Sequence, residues 1–296
     1  MVGKNLLEHP FCKRHEIMAP SRKNLDLTKK ERILSFLKDN EPDLIIHCAG
    51  LVGGIHANIA NPSGFLFDNL EIGCNLISAA ASMGIKKLIN LGSSCMYPRN
   101  ALNPLKEDQL LQGELEPTNE GYALAKVCAQ RLCQYLTYED SSLQYITLMP
   151  CNLYGKYDNF SPERSHLIAS IIRKLHHAKS NNLQSVDVWG DGTVRREFML
   201  ASDLADAVWF CVNLIDRLPN VINVGVGSDR TILEYFLSGA KVIGYDGKFN
   251  FDTTKPAGMK QKLLDVSKLS QLGWESKTSL EDGLKTTYDH YLYLKN

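Results

Sequence analysis

The chain has 296 residues, 44% hydrophobic and 22% charged, enough to bury one large core or two unequal ones. Its 33 basic residues are balanced by 33 acidic ones, so net charge gives no drive toward nucleic acid or a membrane surface. No apolar run reaches the roughly 18 residues that span a bilayer, and the opening residues lack the order of a signal peptide.

Short apolar runs alternate with stretches of helical period along the first half. A strand is predicted at 15–20, a helix at 27–40 and a buried strand at 43–49. A helix at 68–83 closed by Gly84, a strand at 87–91, a helix at 119–138 opened by Pro117-Thr118, and a strand at 145–151 follow. This βαβ rhythm predicts an α/β fold with a Rossmann-like, doubly wound parallel sheet. Beyond Gly155 the rhythm breaks into a helix near 166–179, a hairpin-like Trp189-Gly190-Asp191-Gly192, a helix at 202–214 and a strand at 221–226. The expected division is a cofactor domain from 1–151 and 195–225, and a smaller α+β substrate domain from 152–194 and 226–296.

Eight cysteines are scattered without a CxxC pair or Cys/His ligand spacing, so no metal is expected and a reduced, cytoplasmic setting is. The Asn159-Phe160-Ser161 sequon then carries no meaning.

Three places carry chemistry. The strand at 87–91 runs into Gly92-Ser93-Ser94-Cys95, and ligands of open parallel sheets bind outside the carboxyl ends of strands. A polar turn with a buried cysteine is the plainer account of the same residues. Tyr122 and Lys126 are four apart, which puts phenol and ammonium on one helix face. An ammonium there favours the phenolate and draws its pKa toward neutral, although an exposed Tyr–Lys pair has the same spacing. His166 opens a helix in the irregular half and can serve as acid or base near neutral pH, or simply be structural. Arg22 follows the predicted strand at 15–20, at the place where an NAD-binding chain puts an acid; a guanidinium suits the 2′-phosphate of NADP(H), or is a solvated basic turn.

Taken together, a serine after a βα strand, a YxxxK helix and a strand ending in Met149-Pro150-Cys151-Asn152-Leu153-Tyr154-Gly155 resemble the extended short-chain dehydrogenase/reductase family. Within it the chain is similar to the epimerase-reductases of GDP-4-keto-6-deoxymannose, the GDP-L-fucose synthase family. The similarity runs through VGGIHAN (52–58), GSSCMYP (92–98), LQGELEPTNEGYALAK (111–126), NLYGKYDNF (152–160), WGDGTVRREF (189–198), INVGVG (222–227) and KLLDVSKLSQLGW (262–274).

The resemblance implies that Ser93 hydrogen-bonds a C4 ketone, Tyr122 protonates its oxygen, and Lys126 tunes Tyr122 and holds the nicotinamide ribose. It makes Cys95 and His166 the base and acid of an epimerisation. It assigns the GDP part to Trp189, Arg196 and Lys262, and a diphosphate contact to Lys174, which stands where the family commonly has arginine and so lacks the bidentate fork. NADP(H) contacts fall on Gly3, Arg22, Lys126, Asn152, Leu153 and His166. The family's homodimer, packed through the 68–83 and 119–138 helices, is the expected assembly.

Members of this family open with a strand and a GxxGxxG turn, whereas this sequence starts at Met1-Val2-Gly3, matching the last glycine and its helix. The missing strand would be central, leaving its neighbours about 9–10 Å apart with unpaired backbone groups. The expectation is that the working protein begins some fifteen residues earlier, the length of one strand plus its turn. Other readings stay open: a reductase of a GDP-heptose, an enzyme with one epimerisation only, a 4-epimerase or dehydratase of the same fold, or an inactive binding protein. The dehydratases carry an Asp-Glu pair after the active-site Ser/Thr, where this chain has Ser94-Cys95.

Overall fold

Four apolar runs form a parallel sheet in the order Leu44–His47, Lys87–Leu91, Gln144–Pro150, Val221–Val224. The computed structural model describes residues 1–255 and 258–295, so 256, 257 and 296 of the expected substrate segment lie outside it. Register pairs Ile45 with Leu88, Leu88 with Tyr145, and Leu148 with Ile222. These strands read as continuous apolar runs because helices cover both faces of the sheet. Leu88 and Tyr145 face one layer, with Ile33, Leu37, Ile77 and Cys133 from the helices Lys30–Asn40, Pro62–Ser82 and Glu120–Glu139. Ile89, Ile146 and Ile222 face the other, against Leu204, Val208 and Trp209 of Ala201–Asn213.

The Pro62–Ser82 helix begins earlier than its apolar period suggests. Asn61 caps it by accepting from Gly64 N at 3.2 Å, and Pro62 supplies the fixed φ of a first turn. It lies tightly on Glu120–Glu139, where a Cβ on Gly121 would sit 2.6 Å from the Pro62 carbonyl oxygen.

A second core lies among Leu167–Ser180, Ile232–Ile243, Leu280–Tyr293 and the parallel strand pair Ser185–Trp189 and Lys248–Asp252. Asp203 fastens the tail to the sheet-side helix, accepting from the Ser276 and Thr278 hydroxyls and from the Lys277 and Thr278 amides.

Two expectations are corrected. Residues 15–20 form no strand; they are irregular and exposed, including Ile17 and Met18. A strand is held by its partner's ladder, and among the described residues none pairs with this segment. Leu44–His47 therefore forms one edge of the sheet, and a gap between two flanking strands does not arise. The Trp189–Gly192 stretch is not a hairpin either, because Ser185–Trp189 pairs with Lys248–Asp252 and Arg195–Arg196 pairs with Gln261–Lys262 and Arg230–Thr231. The helix expected after Gly3 forms as Val2–Glu8, with the Leu6 carbonyl accepting from Trp209 Nε1 at 3.2 Å. Among the described residues no helix is long and apolar enough to cross a membrane.

His47 ends the edge strand fully buried against Gly73. Burial, aided by the Lys126 charge, pushes its imidazole down to about 3. The unfolded chain takes up this proton near its ordinary value of 6.5, the folded one only near 3, so stability falls as pH drops through that window. Between pH 7 and 5 the contribution is about 2 kcal/mol. Urea midpoints at those two pH values should converge in His47→Asn relative to the parent chain.

Candidate active site

The site is assembled where the Lys87–Leu91 strand ends. Gly92 turns the chain in a space where a Cβ would meet Met96 Sδ and Thr147 Cγ2 at 3.0 Å each. The short turn Ser94–Met96 follows, capped by Ser93 Oγ, which accepts from Cys95 N at 3.2 Å. That turn returns the Cys95 thiol toward the side of Ser93.

The Glu120–Glu139 helix brings Tyr122 and Lys126 to the same place. Lys126 is buried, its Nζ donates to the Leu91 carbonyl at 2.8 Å, and it stands 5.9 Å from the Tyr122 ring centre. Burial lowers its ammonium to about 8. The Tyr122 phenol is shifted upward rather than toward neutral. Burial and the neighbouring Cys95 sulfur raise the phenol above its ordinary value, with the Ser93 hydroxyl pulling the other way. The Lys126 ammonium is engaged by a backbone carbonyl rather than by the phenol oxygen, which is why it does not dominate.

Cys95 is displaced in the opposite direction. Burial alone would raise its thiol, but Lys262 close by, with hydrogen bonds from Ser93, Lys262 and Asn119, brings it below the ordinary value. Lys262 Nζ lies 3.5 Å and Asn119 Nδ2 3.1 Å from the sulfur. Arg196 adds attraction to the same sulfur, its own guanidinium pushed down to about 10 by burial.

A second group lies at the rim. Lys174 Nζ donates to the Asp187 carbonyl at 2.8 Å and stands 5.7 Å from the Trp189 ring centre, while the His56 ring meets Trp189 edge-on at 4.8 Å. Gly258 lies between Arg196 and Ile55, the residue before His56: a Cβ there would be 3.3 Å from Arg196 Nη2 and 3.8 Å from Ile55 Cδ1.

The structure thus brings Ser93, Cys95, Tyr122, Lys126, Arg196 and Lys262 together, and places Lys174 with Trp189. His166 stands at the position before the Leu167–Ser180 helix, with no side-chain bond to its free amides, and has Asp158 as its charged neighbour; among the described residues no hydrogen bond joins it to Cys95. Gly3 sits at the end of the Leu44–His47 strand, where a Cβ would be 3.3 Å from Cys48 Sγ. Arg22 lies in an exposed turn. Asn152 Nδ2 donates to the Glu197 carbonyl at 2.8 Å, and Leu153 packs on the main core. Among the described residues no cluster of His, Cys, Asp and Glu could hold a metal ion.

Asn119 and Glu197 escaped sequence reasoning. Asn119 could have been found as the polar residue just before the Tyr122 helix, inside the recognised 111–126 segment. Glu197 lies inside the recognised 189–198 segment as well, but RREF reads as surface charge until its burial is seen.

At pH 7.5, iodoacetamide should modify Cys95 ahead of Cys133, Cys151 and Cys211, whose buried thiols are pushed up. Asn119→Ala should slow Cys95 alkylation about five-fold, the effect of one hydrogen bond near 1 kcal/mol, as followed by peptide mass mapping.

Residues 1–225 match the NAD dependent epimerase/dehydratase family. Over 296 residues the chain is 51% identical to GDP-L-colitose synthase of Yersinia pseudotuberculosis, covering 100% of this chain and 96% of that one. It is 45% identical to GDP-L-fucose synthase of Azorhizobium caulinodans, over 99% of this chain and 93% of the other. Among solved structures it is similar to a GDP-mannoheptose C4 reductase from Campylobacter jejuni with NADP bound, at 32% identity and a TM-score of 0.88, covering 98% and 95% of the two chains. With its parallel sheet and its Ser–Tyr–Lys set, the chain belongs to the NAD dependent epimerase/dehydratase family, in the branch of GDP-sugar epimerases and reductases that includes the GDP-L-fucose synthases.

Proposed function

We propose that the protein converts GDP-4-keto-6-deoxymannose to GDP-L-fucose by epimerising C3 and C5 and then reducing the C4 ketone with NADPH. The observation that carries this reading is geometric: Cys95, with Lys262 Nζ at 3.5 Å and Asn119 Nδ2 at 3.1 Å from its sulfur, adjoins Ser93, Tyr122 and Lys126 in one place, an arrangement in which the thiol is pulled down and the phenol is held up. Groups whose environments push them apart in this way divide into a base and an acid.

A 4-keto group acidifies the hydrogens on both flanking carbons, so one grip on the ketone serves two inversions. Ser93 and Tyr122 supply that grip, and Cys95 removes the flanking proton. Inversion requires a proton from the opposite face, the role of His166 with Asp158 beside it. In the reduction Tyr122, kept protonated at neutral pH, releases its proton to the C4 oxygen.

The cofactor position fits the residues present. Gly50 lets the backbone pass close to Lys126, since a Cβ there would meet Asn69 Oδ1 at 3.0 Å and stand 3.8 Å from Nζ. Lys126 would hold the ribose there, Gly3, Asn152, Leu153 and His166 would border the cofactor, and Arg22 would take the 2′-phosphate. When bound, NADPH supplies the hydride for C4. Trp189, Arg196 and Lys262 would hold the GDP part and Lys174 its diphosphate, in a substrate domain formed by 152–194 and 226–296 against a cofactor domain of 1–151 and 195–225. Lys262, expected at the GDP part, also stands 3.5 Å from the Cys95 sulfur and so would serve the thiol as well. Exposed Phe67, Leu124 and Tyr135 on the two long helices support a homodimer packed through that face. The scattered cysteines, all free, support a cytoplasmic setting.

A second reading is favoured by one finding. The similarity to GDP-L-colitose synthase is 51% over the whole chain, so production of GDP-L-colitose is the alternative.

NADPH consumption with GDP-4-keto-6-deoxymannose, followed by NMR of the product, separates these readings. GDP-L-fucose supports the first; failure to consume NADPH with this ketone, alongside turnover of another GDP-keto sugar, overturns it. Tyr122→Phe should lower reduction at least 100-fold, within the usual range for a general acid. Cys95→Ser should block epimerisation while some unepimerised ketone is still reduced. Normal product stereochemistry from that variant would remove Cys95 as the base. Phe67→Asp should shift sedimentation from dimer to monomer.

A further inference from the structure

We propose that Glu197 is a positioning residue for Cys95: its buried carboxylate fixes the strand carrying Lys262, and so sets how closely that ammonium approaches the thiol. The functional meaning of this rests on the reading of Cys95 as a base, but the contacts do not depend on it.

Glu197 is 0% exposed, and among the described residues no ion pair engages it. Its carboxylate is instead held by backbone donors. Oε1 accepts from Val226 N at 2.6 Å and Gly227 N at 2.8 Å, and Oε2 accepts from Leu264 N at 2.8 Å. Its own amide donates to the Lys262 carbonyl at 3.2 Å. One residue therefore grips the Gln261–Lys262 strand at Lys262 itself and two residues beyond it. The strand is parallel to Arg195–Arg196 with Lys262 opposite Arg196, and paired residues share a face. Both cations are thereby turned toward Cys95.

A buried carboxylate without a cation is costly, and burial pushes this one up to about 7 against its backbone donors. The neighbourhood is shaped around it nonetheless. A Cβ on Gly225 would lie 2.3 Å from Oε1, so only glycine leaves the carboxylate its place. The far side of the Lys262 segment is held independently, by Asn103 Oδ1 accepting from Leu263 N and by Leu105 N donating to the Leu263 carbonyl. Glu197 thus governs the strand's approach toward the thiol rather than its existence. An amide in its place would turn an N–H against one of the three backbone donors and release that flank.

The test is the pH profile of Cys95 alkylation by iodoacetamide, read by peptide mass mapping on the full chain and its variants Glu197→Gln, Lys262→Met and the double variant. Each single change should slow alkylation at pH 7 about ten-fold and move the profile to higher pH. In the Lys262→Met background, Glu197→Gln should add nothing. The proposal is overturned if Glu197→Gln leaves the profile unchanged, if Lys262→Met does, or if Glu197→Gln slows alkylation equally without Lys262, which marks general loosening. Should Glu197→Gln not fold, Glu197→Asp keeps the charge, shortens the reach and is judged by the same outcomes. Turnover is not read, so a chain inactive on every GDP sugar would sink the functional reading and leave this result standing.

Discussion

A lysine ammonium and a cysteine thiol share one largely buried space, and much of the site's chemistry follows from that contact. Lys262 is 6% exposed and reaches the Cys95 sulfur at 3.5 Å. Removing a cation and an incipient thiolate from water is costly unless each finds partners. Here Asn119, Ser93 and Arg196 supply them on the sulfur side. The negative charge thus favoured on Cys95 is then felt by Tyr122, whose phenol is held in the protonated form. A single electrostatic arrangement thus pulls the thiol down and holds the phenol up. Two independent devices are not needed.

The contact demands cooperation between distant parts of the chain. Cys95 comes from the turn after a central strand, Asn119 and Tyr122 from the start of a long helix, and Lys262 from a short strand near the tail. Each is placed by backbone geometry rather than by a flexible loop. Gly92 lets the turn form against Thr147, Lys126 ties the helix to the Leu91 carbonyl, and Glu197 ties the tail strand to the rest. Positioning by rigid elements matters because a displacement near 1 Å is enough to cost a catalytic group much of its effect.

Legibility in the sequence followed the range of the interaction. Tyr122 and Lys126 are one helical turn apart, and Ser93 and Cys95 follow directly on an apolar strand, so local periodicity put them side by side. The parallel sheet was legible for the same reason, because strands buried on both faces read as unbroken apolar runs. Residues 15–20 failed because a short apolar run specifies a strand only where a partner ladder exists, and here none does. The short helix Ile55–Ala60 has too few residues for its period to show, and the strand Ser185–Trp189 alternates cleanly but over only five residues. Lys262 was found by resemblance, but its contact with Cys95 spans 167 residues and no spacing rule reaches that far. Glu197 was hidden by composition, since a carboxylate satisfied wholly by backbone amides has no sequence partner to betray it.

The group around Trp189 is built on different terms. Lys174 is a point charge already donating to a backbone carbonyl, beside Trp189 and His56. An ammonium offers an anion one direction of pull where arginine's fork would offer two, so this group fixes orientation loosely. The Lys262–Cys95 contact is the stricter one, because its two partners are set by the backbone of separate elements that Glu197 helps to hold in register.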